Sequence, residues 1–278
     1  MGSGKISAKG GSIKLSDCKK KAMKIIIPMS GIGNRFLKAG YKDIKPLIEV
    51  DGKTMVEHVI DIFPGEEDFI FICNNEHIKT TNIEQVLKKA KPKGNIIGIA
   101  PHNLGPVYAV LQAKHLINDE EPVIVNYVDF SVYWKYEDFK TTIDVNKCDG
   151  CVTAYRGFHP HLLGEGLYAG IRADQHNNML EIMEKHSFTE DMRDSFHSAG
   201  TYYFRKGSYI KKYFKKLMDD NIHINSEYYV SMVYHLMKEE GLSIYVYELD
   251  FFLQWGTPQD LEEYKYWSDY FSSILKKA

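Results

Sequence analysis

Two glycines and two cations lie close together near the start of the chain. Gly31 and Gly33 follow a short apolar run, and Arg35 comes two residues after the second glycine. Lys45 stands ten residues further on, directly before Pro46. Glycines let backbone N–H groups approach an anion closely, and a guanidinium and an ammonium neutralise concentrated negative charge. The spacing therefore indicates a loop that binds a polyphosphate, such as a nucleoside triphosphate.

A dinucleotide-binding loop would use glycines in a related pattern. It needs G-x-G-x-x-G and an acidic residue at the end of the second strand. Here the third glycine position is Phe36, and the second predicted strand ends in Cys73, Asn74 and Asn75. The sequence therefore excludes a dinucleotide fold of that type.

A second motif with chemical potential is Cys148-Asp-Gly-Cys151. The C-x-x-C spacing occurs in redox and zinc sites, but four-coordinate zinc needs two more soft ligands, and no second C-x-x-C or H-x-x-x-H pair supplies them. The Asp-Gly pair favours a tight turn. We expect a turn with buried thiols before a strand at 152–155, and the four cysteines in all fit a reduced cytoplasmic protein.

Secondary-structure elements must position these residues. The first half of the chain is predicted to alternate short apolar strands with helices. Strands are predicted at 24–28, 69–73, 95–99 and 123–126. Helices are predicted from a Thr54 capping box, over 78–90, and from 105 to about 117. This alternation predicts an α/β fold with a doubly wound, mainly parallel (Rossmann-like) sheet, whose ligands bind beyond the carboxyl ends of the strands.

The second half of the chain predicts a mixed arrangement of strands and helices. It contains extended segments at 152–155, 167–172, 179–184, 200–204 and 243–249, and helices at 207–218 and 226–240. The last helix begins at Thr257 with Pro258 at its first position. Residues 23–278 are predicted to form one catalytic domain, and the Gly-, Ser- and Lys-rich residues 1–22 a disordered tail or a tag remnant.

Composition limits the partners of this protein. The 278 residues carry a net charge of -2, which argues against broad electrostatic binding to nucleic acid or a membrane surface. No apolar run approaches the roughly 20 residues that span a bilayer, and the first 22 residues lack the apolar core of a signal peptide. These features predict a cytoplasmic protein, and a homo-oligomer is compatible with them.

The segment from Gly31 to Lys53 resembles the signature of the sugar-phosphate nucleotidylyltransferases and related cytidylyltransferases, which is G-x-G-x-R-F followed by K-P-L-I-x-V-x-G-K. The resemblance extends from Met23 onward. The elements HPH, GTYYF, EYYVS and QWGTP are similar to a capsule-biosynthesis-type branch. The resemblance implies that a nucleotidyl group passes from a nucleoside triphosphate to a phosphorylated small molecule and that pyrophosphate leaves.

The resemblance also implies roles for individual residues. Arg35 would bind the β- and γ-phosphates, and Lys45 would contact both the α-phosphate and the acceptor. Lys185 would bind the acceptor's phosphate. Asp129 would position Mg²⁺. Because the attacking phosphate is already an anion, neither a general base nor a covalent intermediate is required. Nucleotide binding is expected at Met29, Ser30, Gly31, Gly33, Asn103 and Gly105.

Acceptor binding is expected from three further residues. His159 and His161 flank Pro160 and would either contact the acceptor or belong to an exposed loop, and the branch resemblance suggests Glu227. Gln254 departs from the family, since many members carry a metal-binding Asp two residues before G-T-P. A neutral amide is a poorer ligand for a hard cation. Either Asp250 substitutes, water fills the position, or Asp129 is the one protein carboxylate.

The identities of the substrates stay open. The resemblance favours CTP or another pyrimidine triphosphate and a sugar 1-phosphate, with phosphocholine-like or phosphoglutamine-like acceptors as alternatives. A glycosyltransferase would use D-x-D after a strand, whereas Asp129 is followed by Phe130 and Ser131. A non-catalytic nucleotide-binding regulator is the third hypothesis, because of Gln254.

Overall fold

The computed structural model describes residues 22–159, 162 and 168–276, and residues 1–21 of the predicted tail therefore lie outside the described part. Strands and helices alternate through most of the chain. The strands are β1 (Lys24–Met29), β2 (Glu49–Val50), β3 (Lys53–Thr54), β4 (Asp68–Asn74), β5 (Asn95–Ile99), β6 (Val123–Asn126), β7 (Phe130–Tyr133), β8 (Gly150–Tyr155), β9 (Gly170–Ala173), β10 (Met179–Met183), β11 (Phe196–Phe204), β12 (Ile244–Glu248) and β13 (Phe251–Gln254). The helices are α1 (Asn34–Lys38), α2 (Met55–Asp61), α3 (Asn75–Thr80), α4 (Ile83–Ala90), α5 (Gly105–Gln112), α6 (Tyr136–Asn146), α7 (Gly207–Tyr209), α8 (Lys215–Asp219), α9 (Val230–Glu239) and α10 (Pro258–Leu275).

A nine-stranded sheet runs through the described residues. Its main path is β5-β4-β1-β6-β11-β8-β12, in which β5, β4, β1 and β6 are mutually parallel and β8 is parallel to β12. Strand β11 is antiparallel to both β6 and β8, and its first residues also pair with the β9–β10 hairpin. The predicted doubly wound, mainly parallel sheet with a mixed second half is confirmed.

The sheet is buried on both faces, which explains the continuous apolar run of β1. Ile26 belongs to a core with Val107 of α5, whereas Ile25 and Ile27 belong to a second core with Val56 of α2. Successive side chains of a strand point to opposite faces, so a strand covered by helices on both sides is apolar at every position.

Two predicted helix starts are confirmed by their caps. The hydroxyl of Thr54 accepts from the Glu57 N–H and the Glu57 carboxylate accepts from the Thr54 N–H, which completes a capping box. Thr257 and Asp260 make the same reciprocal pair at the start of α10. Such caps satisfy backbone donors that a helix leaves without partners.

Other helix predictions were wrong in detail. The single helix predicted at 78–90 is two helices, α3 and α4, because Thr81 is extended and its hydroxyl donates to the His77 carbonyl. The helix predicted at 226–240 begins only at Val230, since Asn225 and Ser226 have positive φ. Between α7 and α8 the chain forms a π-helical turn over Ile210–Phe214.

The C-x-x-C motif lies where the chain enters β8. Cys148 and Cys151 are both buried, as predicted, and the strand begins at Gly150 rather than at 152. Among the described residues no group of three or more His, Cys, Asp or Glu side chains could hold a metal ion. No described helix has both the length and the apolar character that crossing a membrane demands.

Candidate active site

The glycine loop joins the end of β1 to α1. Gly33 precedes α1 with φ of 73°, a left-handed conformation that glycine adopts without steric cost. An added Cβ at Gly31 would meet nothing within 4 Å, so this residue borders open space. The loop therefore presents backbone groups to the carboxyl edge of the parallel strands, as the sequence predicts.

A cavity of about 380 Å³ opens over this loop. Most of the predicted site residues line it, including both phosphate-binding cations and the predicted metal ligand. The predicted residues on its wall are Met29, Ser30, Gly31, Gly33, Arg35, Lys45, Asn103, Gly105, Asp129 and Glu227. The structure thus brings together segments that are separated by nearly 200 residues of chain; the individual roles stay predictions.

Lys45 and Asp129 form the charged centre of the cavity. The Nζ of Lys45 lies 2.7 Å from Oδ2 of Asp129, and their side chains are 20% and 28% exposed. The same ammonium donates to the Gly256 carbonyl at 3.0 Å and lies 5.2 Å from the centre of the Phe36 ring. Because both charged groups keep an exposed face, they can also contact a bound ligand.

A second cavity of about 140 Å³ adjoins the first. Arg35 and Asp129 line both cavities, and Lys185 lines only the smaller one. The four predicted charged residues therefore line two adjoining cavities. Lys185 has φ of 54°, which is uncommon for a residue with a side chain, and its Nζ lies 5.3 Å from the Tyr229 ring centre.

His102 is a site residue that the sequence reasoning missed. Its Nδ1 accepts from the Leu104 N–H at 3.2 Å, so in the neutral ring Nε2 carries the proton and donates to the Ser30 hydroxyl at 2.8 Å. Burial lowers the pKa of His102 and favours this neutral form. The histidine ties the glycine loop to the Asn103 loop, and its place directly before Asn103 was the available signal.

The Asn103 loop packs against the chain before α9. Gly105 has φ of 81°, and an added Cβ there would lie only 2.9 Å from the Tyr228 backbone nitrogen. Tyr228 donates its N–H to the Leu104 carbonyl and accepts from the Val107 N–H. This packing puts Glu227 on the wall of the larger cavity, where its carboxylate accepts from the Tyr229 hydroxyl at 2.5 Å.

The predicted histidine pair is seen only in part. Among the described residues that line the two cavities, His159 is absent, and its ring lies 4.6 Å from that of Tyr155. Burial lowers the pKa of His159. Pro160 and His161 lie outside the described residues. Acceptor binding by these two histidines stays a prediction.

The donor set around Asp129 fits a magnesium ion that accompanies a nucleotide. Gln254 lines the smaller cavity beside Asp129, and Asp250 is exposed between β12 and β13. Asp260 receives the Thr257 N–H and hydroxyl, so its carboxylate is engaged in the α10 cap. Mg²⁺ commonly takes one or two carboxylates and completes its shell with phosphate oxygens and water, so Asp129 alone can serve.

The comparisons with known proteins agree with this geometry. No family model matches the sequence. The chain is 29% identical over 227 residues to the bifunctional protein GlmU of Clostridioides difficile (strain 630), and this alignment covers 80% of the chain and 45% of that protein. The chain thus spans about half the length of the curated relatives that it matches.

Solved structures share the fold at lower identity. The nucleoside-diphosphate-sugar pyrophosphorylase of Vibrio cholerae RC9 superimposes with a TM-score of 0.69 at 19% identity, covering 87% of this chain and 99% of that one. The inositol-1-phosphate CTP transferase of T. maritima gives 0.65 at 14% identity, with coverage of 87% and 94%. The predicted resemblance and fold are confirmed.

Proposed function

We propose that this chain, which belongs to the sugar-phosphate nucleotidyltransferase family, transfers a nucleotidyl group from a nucleoside triphosphate to a phosphorylated small molecule and releases pyrophosphate. The observation that carries the proposal is the pair of adjoining cavities, with Arg35 and Asp129 on the wall of both. The larger cavity would bind the triphosphate and the smaller one the phosphorylated acceptor. The charged residues that the two cavities share would then lie where the two substrates react.

The reaction needs positioning and charge neutralisation. A phosphate oxygen of the acceptor attacks the α-phosphorus, and pyrophosphate leaves in line with the incoming oxygen. Arg35 neutralises the β- and γ-phosphates and the leaving pyrophosphate, and Lys185 holds the acceptor's phosphate. Lys45 exchanges part of its contact with Asp129 for the α-phosphate and the acceptor, because its ammonium has three donors.

Magnesium is the implied cofactor, and Asp129 would hold it. When bound, Mg²⁺ supplies further neutralisation of the reacting phosphates. Gln254, in place of a carboxylate, leaves Asp129 as the ligand at the junction of the two cavities. The remaining positions around the ion then belong to phosphate oxygens and water.

The nucleotide we favour is CTP or another pyrimidine triphosphate, with a sugar 1-phosphate or a smaller phosphorylated metabolite as the acceptor. The T. maritima neighbour, an inositol-1-phosphate CTP transferase, supports a cytidine nucleotide by analogy. The HPH, GTYYF, EYYVS and QWGTP elements support a place in capsule or surface-polysaccharide precursor synthesis. Such activated precursors are made in the cytoplasm, which is the location we propose.

A screen of pyrophosphate release tests the function. Each of the four nucleoside triphosphates is incubated with Mg²⁺ and a panel of sugar 1-phosphates, inositol phosphate, phosphocholine and amino-acid phosphates. Release that requires both the triphosphate and the acceptor supports the proposal, and the best pair identifies the substrates. Nucleotide binding without release for any pair would overturn it in favour of a non-catalytic regulator. Free nucleoside diphosphate from a nucleotide-sugar would indicate a glycosyltransferase instead.

A further inference from the structure

The smaller cavity has an unusually aromatic wall. Its described lining residues include five with aromatic side chains, whereas only Ser198 and Gln254 among them carry an uncharged, non-aromatic polar side chain. The five aromatic residues are Tyr127, Phe130, Tyr168, Tyr202 and Tyr229. The faces of such rings carry negative electrostatic potential and attract cations.

The tyrosine hydroxyls of this wall are engaged with the protein. Tyr127 accepts from the Val230 N–H at 3.2 Å, and Tyr202 accepts from the Ser198 hydroxyl at 2.9 Å. Tyr229 donates to Glu227. The rings therefore offer the cavity mainly their aromatic surfaces rather than hydroxyl groups for a ligand rich in hydroxyls.

Among the residues that the structure describes, two carboxylates line the smaller cavity, and they differ in their partners. Asp129 is paired with Lys45 at 2.7 Å. Glu184 accepts from the Ser231 hydroxyl, and no Lys, Arg or His nitrogen of the described residues lies within ion-pair distance of it. Its neighbour Lys185 lies over the Tyr229 ring. Glu184 is thus a carboxylate on the wall of the smaller cavity with no ion-pair partner among the described residues.

The surroundings of Glu184 disfavour the ionised form of its carboxyl group. The pKa of Glu184 is raised to about 7, chiefly by burial and to a smaller extent by the nearby Glu227, although Ser231 and Lys185 act in the opposite direction. Burial raises the pKa of Tyr127, Tyr202 and Tyr229, and the negative charge of Glu184 adds to this effect. A cationic ligand group would compensate a half-buried carboxylate of this kind and gain from the surrounding rings.

We propose that Glu184 and the aromatic wall bind an ammonium group, and that the acceptor is therefore a phosphate ester that carries an amine or a quaternary ammonium. This inference rests on the proposed function and narrows its acceptor. Lys185 neutralises the phosphate of such an acceptor, and Glu184 neutralises its other charge. Amino sugars, amino alcohols and amino acids share this chemistry once they are phosphorylated.

Matched pairs of acceptors test the inference, because each pair differs in the cationic group. The pairs are phosphocholine with 3,3-dimethylbutyl phosphate, glucosamine 1-phosphate with glucose 1-phosphate, and phosphoethanolamine with 2-hydroxyethyl phosphate. Pyrophosphate release is measured for each with the best triphosphate at about pH 8. We expect the ammonium member of at least one pair to have a kcat/KM at least about tenfold higher than its neutral partner. The pair that responds identifies the carbon skeleton.

Variants of Glu184 separate ligand binding from a structural role. Glu184→Gln should lower kcat/KM at least about tenfold for the ammonium acceptor, mainly through KM, and change it less than about threefold for the neutral partner. Glu184→Asp keeps the charge and should retain a preference for the ammonium member. Glu181→Gln, on the same strand β10 and paired with Arg172, is the matched control and should leave both values unchanged.

The outcomes distinguish a failure of the ammonium site from a failure of the proposed function. A neutral acceptor preferred in every pair, or an equal loss for both members in Glu184→Gln, overturns the ammonium site. Pyrophosphate release with glucose 1-phosphate as the sole active acceptor would also overturn the ammonium site, but it would support the proposed nucleotidyl transfer. No release with any acceptor and any triphosphate contradicts the proposed function itself.

Discussion

The ammonium of Lys45 donates to the Asp129 carboxylate at 2.7 Å, across 84 residues of sequence. Lys45 also donates to the Gly256 carbonyl, which belongs to the segment between β13 and α10. One side chain therefore joins the glycine-loop region, the residues after β6 and the approach to the last helix. The charged centre of the site is organised by the protein itself, and incoming phosphates meet groups that are already in position.

Loss of the Arg35 guanidinium should mainly affect turnover. We expect Arg35→Ala to lower kcat for pyrophosphate release at least about tenfold, equivalent to about 1.4 kcal/mol, because the charge on the leaving group is no longer neutralised. Lys38→Ala, at an exposed position of the same helix α1, is the control and should retain full turnover. An Arg35→Ala enzyme with unchanged kcat would remove the role assigned to this residue.

Asp129 should control the magnesium requirement. Asp129→Asn keeps the size of the side chain but removes its charge, so we expect turnover to fall at least about tenfold and the Mg²⁺ concentration for half-maximal rate to rise. The measurement is a Mg²⁺ titration of the rate at saturating nucleotide. Asp250→Asn, an exposed acid between β12 and β13, should leave the titration unchanged. An identical response of the two variants would contradict metal binding at Asp129.

Protonation of His102 should weaken the nucleotide cavity. Its pKa is lowered by burial from the ordinary 6.5, so below that pH the folded state binds fewer protons than the unfolded state. The stability that neutral His102 contributes is therefore complete above about pH 6.5 and is lost as the pH falls through the folded-state pKa. Thermal unfolding between about pH 8 and pH 5.5 should show a smaller acid loss in His102→Gln than in the wild type.

The same histidine should affect nucleotide affinity at neutral pH. His102→Ala removes the hydrogen bond to Ser30, and we expect the dissociation constant for nucleotide to rise about fivefold, close to 1 kcal/mol. His235→Ala, an exposed histidine on α9, is the control for both experiments. Equal affinities of the wild type and His102→Ala would show that the Ser30 contact does not hold the loop.

Alanine substitutions at two glycines with the same φ distinguish the cost of backbone strain from the cost of a steric clash. Gly105 and Gly241 both have φ of 81°, but an added Cβ meets the Tyr228 backbone at 2.9 Å only at Gly105. Gly241→Ala should cost about 1 kcal/mol in the free energy of unfolding, from the left-handed conformation alone. Gly105→Ala should cost more and should also weaken nucleotide binding. Chemical denaturation and nucleotide titration measure the two effects, and equal losses would contradict the tight packing at Gly105.

The first half of the fold could be predicted because its signals are local. Strand β1 is apolar at every position after Lys24, and the Thr54 and Thr257 caps lie within four residues of their partners. Helix α6 escaped prediction because its sequence is mostly polar and buries only three side chains. The pairing of β7 with β13 joins residues more than a hundred positions apart, and no local pattern predicts it.

Some residues of the candidate site could likewise be predicted from local sequence, whereas others depend on tertiary packing. Gly31, Arg35 and Lys45 lie in one segment whose spacing indicates phosphate binding. The position of Glu227 on the larger cavity depends on the packing of Tyr228 against Gly105. The tyrosines of the smaller cavity come from four separate segments, and Tyr202 also belongs to the core of the sheet. Only the tertiary structure shows that these rings share a space.

Three consecutive residues before the last helix have a practical consequence for protein engineering. The Trp255 N–H donates to the Asp129 carbonyl at 3.0 Å, the Gly256 carbonyl accepts from Lys45, and Thr257 starts α10 with its capping box. A truncated variant that omits α10, or a fusion that frays its first turn, would release these anchors and disorganise the site from a segment that contributes no reacting side chain. Expression designs for this enzyme should therefore keep the helix intact and place additions after it.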